Sequence, residues 1–191
     1  MIIGLDTFKT VKAFADLSGL SAEEVKYKFE SSSFFQDFEK GNISENEFRK
    51  NIRSLLNSLM EDSEIDQAWN AMLLEFSSEK LNLLKQLKSE YKTFLLSNTN
   101  AIHLKEVNKI LYKTSGEKNL DFYFHQSYYS HLMGMRKPNT EIFNHVVIEN
   151  KLNPSETIFL DDHAPNISGA AAVGIQTKLI TQSDTLLSLF S

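Results

Sequence analysis

Over roughly the first 90 residues the apolar positions fall on helical stripes. Phe48, Ile52, Leu55, Leu56 and Leu59 line one face of a predicted helix. Ile65, Trp69, Met72 and Leu73 extend the same spacing, and Leu81, Leu84 and Leu87 repeat it. Ser21-Ala22-Glu23-Glu24 and Ser44-Glu45-Asn46-Glu47 both read as capping boxes, in which the hydroxyl and the glutamate satisfy orphan N–H groups at a helix start. Gly41 and Asn42 interrupt the run as helix breakers. No strand is expected between residues 7 and 90.

From Lys92 the pattern changes. Short apolar runs end abruptly in polar residues: TFLLS (93–97), LDFYF (120–124), TIFL (157–160) and IQTKLI (175–180). Helical segments from His103 to Lys113, Thr140 to Asn150 and Ala164 to Val173 lie between them. Alternating apolar strands and helices predict an α/β fold with a parallel sheet covered on both faces. Ala170, Ala171 and Ala172 offer a small-residue face for close packing on that sheet, with Gly174 as a left-handed cap. Three or four strands are few for a doubly wound sheet, so part of it is expected to be missing.

Composition narrows the function without choosing it. The 191 residues are 41% hydrophobic and 24% charged, enough for a real core. A net charge of −5 with no massed basic segment argues against nucleic-acid binding. The absence of cysteine removes thiolate catalysis, disulfides and Cys-ligated zinc. No stretch is apolar enough to span a membrane, and MIIGLDTFKT is no signal peptide, so the expected compartment is the cytoplasm.

In open α/β sheets ligands bind at the carboxyl ends of the strands. Ser97-Asn98-Thr99-Asn100 follows one strand directly and Asp161-Asp162 another, while Lys137 lies in a loop before a helix that Asn139 can cap. Ser97 offers a hydroxyl, and the peptide N–H groups of Asn98 and Thr99 point outward at a strand end. Lys137 offers a mobile positive charge. Adjacent carboxylates must share a proton or a cation, and all-oxygen ligation favours Mg²⁺. A turn serine, a solvated lysine or an aspartate cap each has an ordinary structural explanation; their combination at strand ends points to phosphoryl transfer.

The order strand-Ser-Asn-Thr-Asn, Gly-Met-Arg-Lys-Pro, then Asp-Asp-x-x-x-Asn resembles motifs II to IV of the haloacid dehalogenase (HAD) superfamily. The nearest subgroup holds α-D-glucose-1-phosphate phosphatase-like proteins and the N-terminal phosphatase domain of soluble epoxide hydrolase. Phe34, Phe35 and FEKGNISENEF resemble that subgroup's helical cap. The resemblance implies a HAD-like Rossmannoid core at 79–191, a cap at 7–78 and a flap remnant at 1–6. It implies Ser97, Asn98 and Lys137 on phosphate, Lys137 and Asp162 as catalytic groups, and Asp162 with Asp161 on Mg²⁺. Asn166 would orient Lys137 or the metal shell, while Arg136 and His163 would be structural. Phe34, Phe35, Phe38 and Trp69 either line the entrance or, as aromatics at helical spacing more often do, form core.

The family's reaction needs an aspartate nucleophile at the end of a central strand. Only Asp6 is available, either as that nucleophile after a strand MIIGL or, the preferred reading, as the cap of the next helix with motif I absent. The expectation is therefore a Mg²⁺-dependent phosphatase scaffold for a small phosphorylated metabolite such as a sugar phosphate, lacking its nucleophile and inactive as this chain. A shortened reading frame explains this better than an evolved loss. The alternative is a non-catalytic phosphate-binding or regulatory protein.

Overall fold

The computed structural model describes residues 2–181 and 186–190; Met1, residues 182–185 and Ser191 lie outside it. The chain opens with β1 (Ile3–Leu5) and five helices: α1 (Thr7–Ser18), α2 (Ala22–Glu30), α3 (Phe34–Glu39), α4 (Glu45–Leu56) and α5 (Asp62–Asn70). Then come β2 (Leu73–Phe76), α6 (Ser78–Glu90), β3 (Phe94–Ser97), α7 (Ala101–Ser115), β4 (Gln126–Tyr129) and α8 (Ser130–Met133). Finally α9 (Thr140–Glu149), β5 (Ile158–Asp161), α10 (Ala164–Ala171) and β6 (Gln176–Leu179) precede a last helical turn, Leu186–Leu189.

The helix starts follow their capping chemistry. Both S-x-x-E boxes form, with Glu24 and Ser21, and Glu47 and Ser44, bonded in both directions. Asp6 caps α1 by accepting the Phe8 N–H at 3.2 Å. The five helices enclose a core of Phe14, Val25, Phe38, Phe48, Ile52 and Ile65, to which α7 adds Ile102. The aromatic rings are stacked within it: Phe38 on Phe48 at 4.2 Å and Phe35 on Trp69 at 5.4 Å between centroids. Phe38 and Trp69 are buried core, and Phe34 and Phe35 are partly buried against it. Leu59 departs from its predicted stripe; α4 stops at Leu56, where Asn57 turns left-handed with φ 50°, and Leu59 is left 99% exposed.

Among the described residues four strands pair in parallel, as two separate pairs. β3 pairs with β4 from Phe94↔Gln126 to Ser97↔Tyr129, and β5 with β6 from Ile158↔Gln176 to Asp161↔Leu179. Among the described residues no ladder joins β3 to β5. Three of the four predicted strands are found. The fourth, LDFYF, is instead a 3-10 turn at Leu120–Tyr123, capped by the Asn119 side chain, which buries Leu120 and Tyr123. The strand that follows, Gln126–Tyr129, is polar enough to escape notice because it fully buries only Tyr128. A second difference is β2. Met72 and Leu73 sit past the end of α5, and β2 pairs antiparallel with β1, so residues 7–90 do contain a strand. The small-residue face is also displaced: α10 packs on β5 and β6 with Ala170 fully buried, while Ala171 and Ala172 are exposed.

No helix among the described residues is long and apolar enough to cross a membrane. One buried polar cluster joins the helical module to α7: His103, 9% exposed, bonds Asn100 and the Trp69 carbonyl. Burial pulls its imidazole from 6.5 down to about 4, against an opposing contribution from the Trp69 carbonyl. The unfolded chain therefore takes up this proton first as pH falls. Stability from neutral His103 is complete above pH 6.5 and is lost between 6.5 and about 4. The loss should approach roughly 3 kcal/mol in urea unfolding, and His103→Phe should flatten that part of the pH profile.

Candidate functional site

Lys137 is the centre of the predicted site. Its side chain is almost fully buried, and its Nζ donates to Asp161 Oδ2 at 2.7 Å. The ammonium also lies 5.3 Å from the centroid of the Phe159 ring. A desolvated cation needs such a partner, because an unpaired charge in the interior costs several kcal/mol. Asp161 ends β5 and is itself pinned: Oδ1 accepts from the His163 N–H at 2.9 Å and from Asn166 Nδ2 at 3.0 Å. Both carboxylate oxygens are thus committed to protein donors.

The backbone of Lys137 is held from the other side of the site. Asn98 donates Nδ2 to the Lys137 carbonyl and accepts the Lys137 N–H on Oδ1, both at 2.9 Å. One asparagine thereby closes both orphan groups of the loop residue, as a neighbouring strand would. The ends of β3 and β5 are brought to a single loop, with Ser97 one residue before Asn98 and Asp162 one residue after Asp161. Ser97 is half-buried at the end of β3. Asp162 is exposed, and its carboxylate carries no hydrogen bond or ion pair among those described.

Two of the groups that the sequence offers to a ligand are spent elsewhere. The Thr99 N–H donates to Ser130 Oγ at 2.9 Å, and Ser130 Oγ donates back to the Thr99 carbonyl at 2.9 Å. Thr99 therefore has no peptide N–H to offer a ligand, and of Asn98 only the backbone N–H is uncommitted by the side-chain clamp. Asp6 stands apart from this assembly. It closes an antiparallel ribbon with β2, its N–H donating to the Met72 carbonyl, and its carboxylate caps α1. Among the described residues β1 pairs only with β2.

Other residues that shape the site carried weak sequence signals. A Cβ at Gly169 would collide with the Pro138 carbonyl oxygen, so α10 approaches the Lys137 loop more closely than any side chain permits. Gly41, at φ +71°, makes the same kind of approach between the helical module and the His131 carbonyl. Arg136 Nε and Nη2 both reach Glu39 Oε2, at 2.9 and 2.8 Å, tying the same loop to α3. A glycine inside a small-residue run and a lone arginine gave no hint of their partners.

Removing one member of the Lys137–Asp161 pair should destabilise far more than removing both charges. Asp161→Asn should cost ~3 kcal/mol in urea unfolding, and Lys137→Met combined with it should recover much of that loss. Asn98→Ala should cost about 1–3 kcal/mol by stranding the Lys137 peptide groups, measured the same way.

The fold has close counterparts among known proteins. The profile of haloacid dehalogenase-like hydrolases matches residues 9–174. A D-ribitol-5-phosphate phosphatase of Bacteroides thetaiotaomicron is 32% identical over 177 residues, 93% of this chain and 85% of that protein. A HAD family enzyme of the same organism, solved with magnesium and inorganic phosphate, superposes with a TM-score of 0.89 at 35% identity, covering 100% of this chain and 94% of that one. A predicted HAD-like family hydrolase of Porphyromonas gingivalis superposes with a TM-score of 0.87 at 26% identity, covering 99% and 90%. The chain belongs to the haloacid dehalogenase-like hydrolase family.

Proposed function

We propose that this chain is the scaffold of a Mg²⁺-dependent phosphatase for a small phosphorylated metabolite, with a phosphorylated polyol or sugar as the substrate class. The single observation that carries the reading is the convergence on Lys137 of the β3 end, through Asn98, and the β5 end, through Asp161. The substrate class follows the D-ribitol-5-phosphate phosphatase, which is similar along most of its length.

The donor set fits magnesium. Mg²⁺ is ordinarily held by one or two carboxylates together with water and substrate phosphate. Asp162 is an exposed carboxylate without a protein partner, whereas Asp161 is fully engaged. Asp162 is therefore assigned as the metal ligand and Asp161 as the group that orients Lys137. When bound, the metal would neutralise charge on the phosphoryl oxygens. Ser97 Oγ and the Asn98 N–H donate to those oxygens, and the Lys137 ammonium, with N–H donors beyond the one given to Asp161, stabilises the developing charge. The helical module, residues 7–78, serves as the cap over the core at 79–191.

Asp6 is not assigned as nucleophile, because its carboxylate is occupied at the start of α1 and its strand belongs to the ribbon with β2. No attacking carboxylate is assigned among the described residues. The same pocket with no attacking carboxylate at all would be a phosphate-binding regulatory protein.

Titration with inorganic phosphate, with and without Mg²⁺, tests the site. Mg²⁺ should tighten phosphate binding. Asp162→Asn should remove that dependence while leaving thermal stability within about 0.5 kcal/mol, since the side chain is exposed. Ser97→Ala should weaken binding about ten-fold. Phosphate release from D-ribitol 5-phosphate should be slight with the 191-residue chain and indifferent to Asp6→Asn. Efficient turnover abolished by Asp6→Asn would overturn the assignment of the nucleophile, and binding indifferent to Mg²⁺ would overturn the metal site.

A further inference from the structure

Three consecutive residues carry the chain out of β3, and each is held by a different partner. Asn98 is held by the Lys137 peptide and Thr99 by Ser130. Asn100 is held by the helical module, through a cluster that has no part in the phosphate chemistry above.

Asn100 is 1% exposed and caps α7. Its Oδ1 accepts from the His103 N–H at 3.0 Å and from Trp69 Nε1 at 3.4 Å. Two donors on one atom fix which end of the amide is oxygen. Nδ2 therefore faces His103 Nδ1 at 3.1 Å, and since an amide nitrogen only donates, Nδ1 must be bare. The imidazole proton is then on Nε2, which donates to the Trp69 carbonyl at 3.1 Å. That carbonyl lies in the last turn of α5, where helical partners run out. It takes a second bond from Thr10 Oγ1 at 3.0 Å, and Thr10 Oγ1 accepts the Met72 N–H at 3.2 Å. The imidazole also lies flat on the Trp69 indole, 4.8 Å between centroids and 9° between planes. Each side-chain nitrogen and hydroxyl in the cluster has a partner, and only one tautomer lets His103 accept from Asn100 and donate to Trp69. A second ring proton would set a donor against the Asn100 amide donor.

We propose that His103 is a positioning residue: as the neutral Nε2–H tautomer it pins Asn100, and with it the Ser97–Thr99 turn, to the Trp69 end of the helical module. The turn's geometry then depends on α1 and α5 remaining docked, so displacement of the module reaches Ser97 through two side chains. The functional meaning of the pin rests on the phosphate site proposed above, but the pin itself does not.

Long-range ¹H–¹⁵N NMR of the intact protein should show a bare Nδ1 and a protonated Nε2 at neutral pH; an Nδ1–H form or a mixture of tautomers overturns the proposal. His103→Phe keeps a ring on Trp69 and loses both side-chain bonds. Amide exchange at Asn98 and Thr99 should then quicken about ten-fold, with Phe159 and Leu160 in β5 unchanged. His103→Gln, which can donate to the Trp69 carbonyl, should restore part of the protection. Acceleration shared equally by β5, or none in the turn, overturns the proposal; if His103→Phe does not fold, the tautomer and His103→Gln decide. Failure of the unmodified protein to bind inorganic phosphate would remove the phosphate site and leave the exchange result to judge the pin alone.

Discussion

A lysine ammonium buried to within 5% of full coverage cannot stand alone, and the pairing of Lys137 with Asp161 is the constraint around which the rest of the molecule is arranged. Asp161 must end a strand so that its carboxylate projects beyond the sheet, and α10 must begin at once so that His163 and Asn166 can donate to it. Lys137 must be delivered by a loop at a matching height, which Asn98 ensures by bonding both its peptide groups. Gly169 allows α10 to come close enough to that loop for the pair to meet. Each of these is a local choice that makes little sense without the buried charge.

The helical module is joined to the same structure at several points of different character. Arg136, next to Lys137, pairs with Glu39; Gly41 admits the His131 carbonyl; and Lys105 on α7 reaches Glu45 at 2.7 Å. The ion pairs are partly exposed and individually weak. The Trp69–His103–Asn100 cluster is buried and each of its members is hydrogen-bonded, which makes it the more demanding contact, because a buried network is stable only when its members are paired. The loop bearing Lys137 and the turn after Ser97 thus answer both to the core and to the helices above it.

The relation to haloacid dehalogenase-like hydrolases explains why so much of this was legible. Helix starts at Ser21 and Ser44, the apolar strands before Ser97 and Asp161, and the order of serine, lysine and aspartate pair are all properties of short segments. What misled was also local. LDFYF has strand composition but buries Leu120 and Tyr123 at a turn's spacing, and Gln126–Tyr129 lacks the apolar run because only Tyr128 is fully buried. Met72 and Leu73 continued a helical stripe in sequence after the helix had ended in space.

From its amino acids alone the chain determined its helices, half of its strands (β3, β5 and β6) and which residue types would gather at the strand ends, since periodicity and capping act over a few residues. Only the tertiary structure decided how those groups divide their bonds. It gave both oxygens of Asp161 to protein donors and left Asp162 exposed, turned the Thr99 N–H toward Ser130, and matched Arg136 with a glutamate 97 positions away. A hydrogen-bonding group can satisfy only a few partners, and which ones lie within reach is a matter of packing between distant segments, which no local pattern encodes.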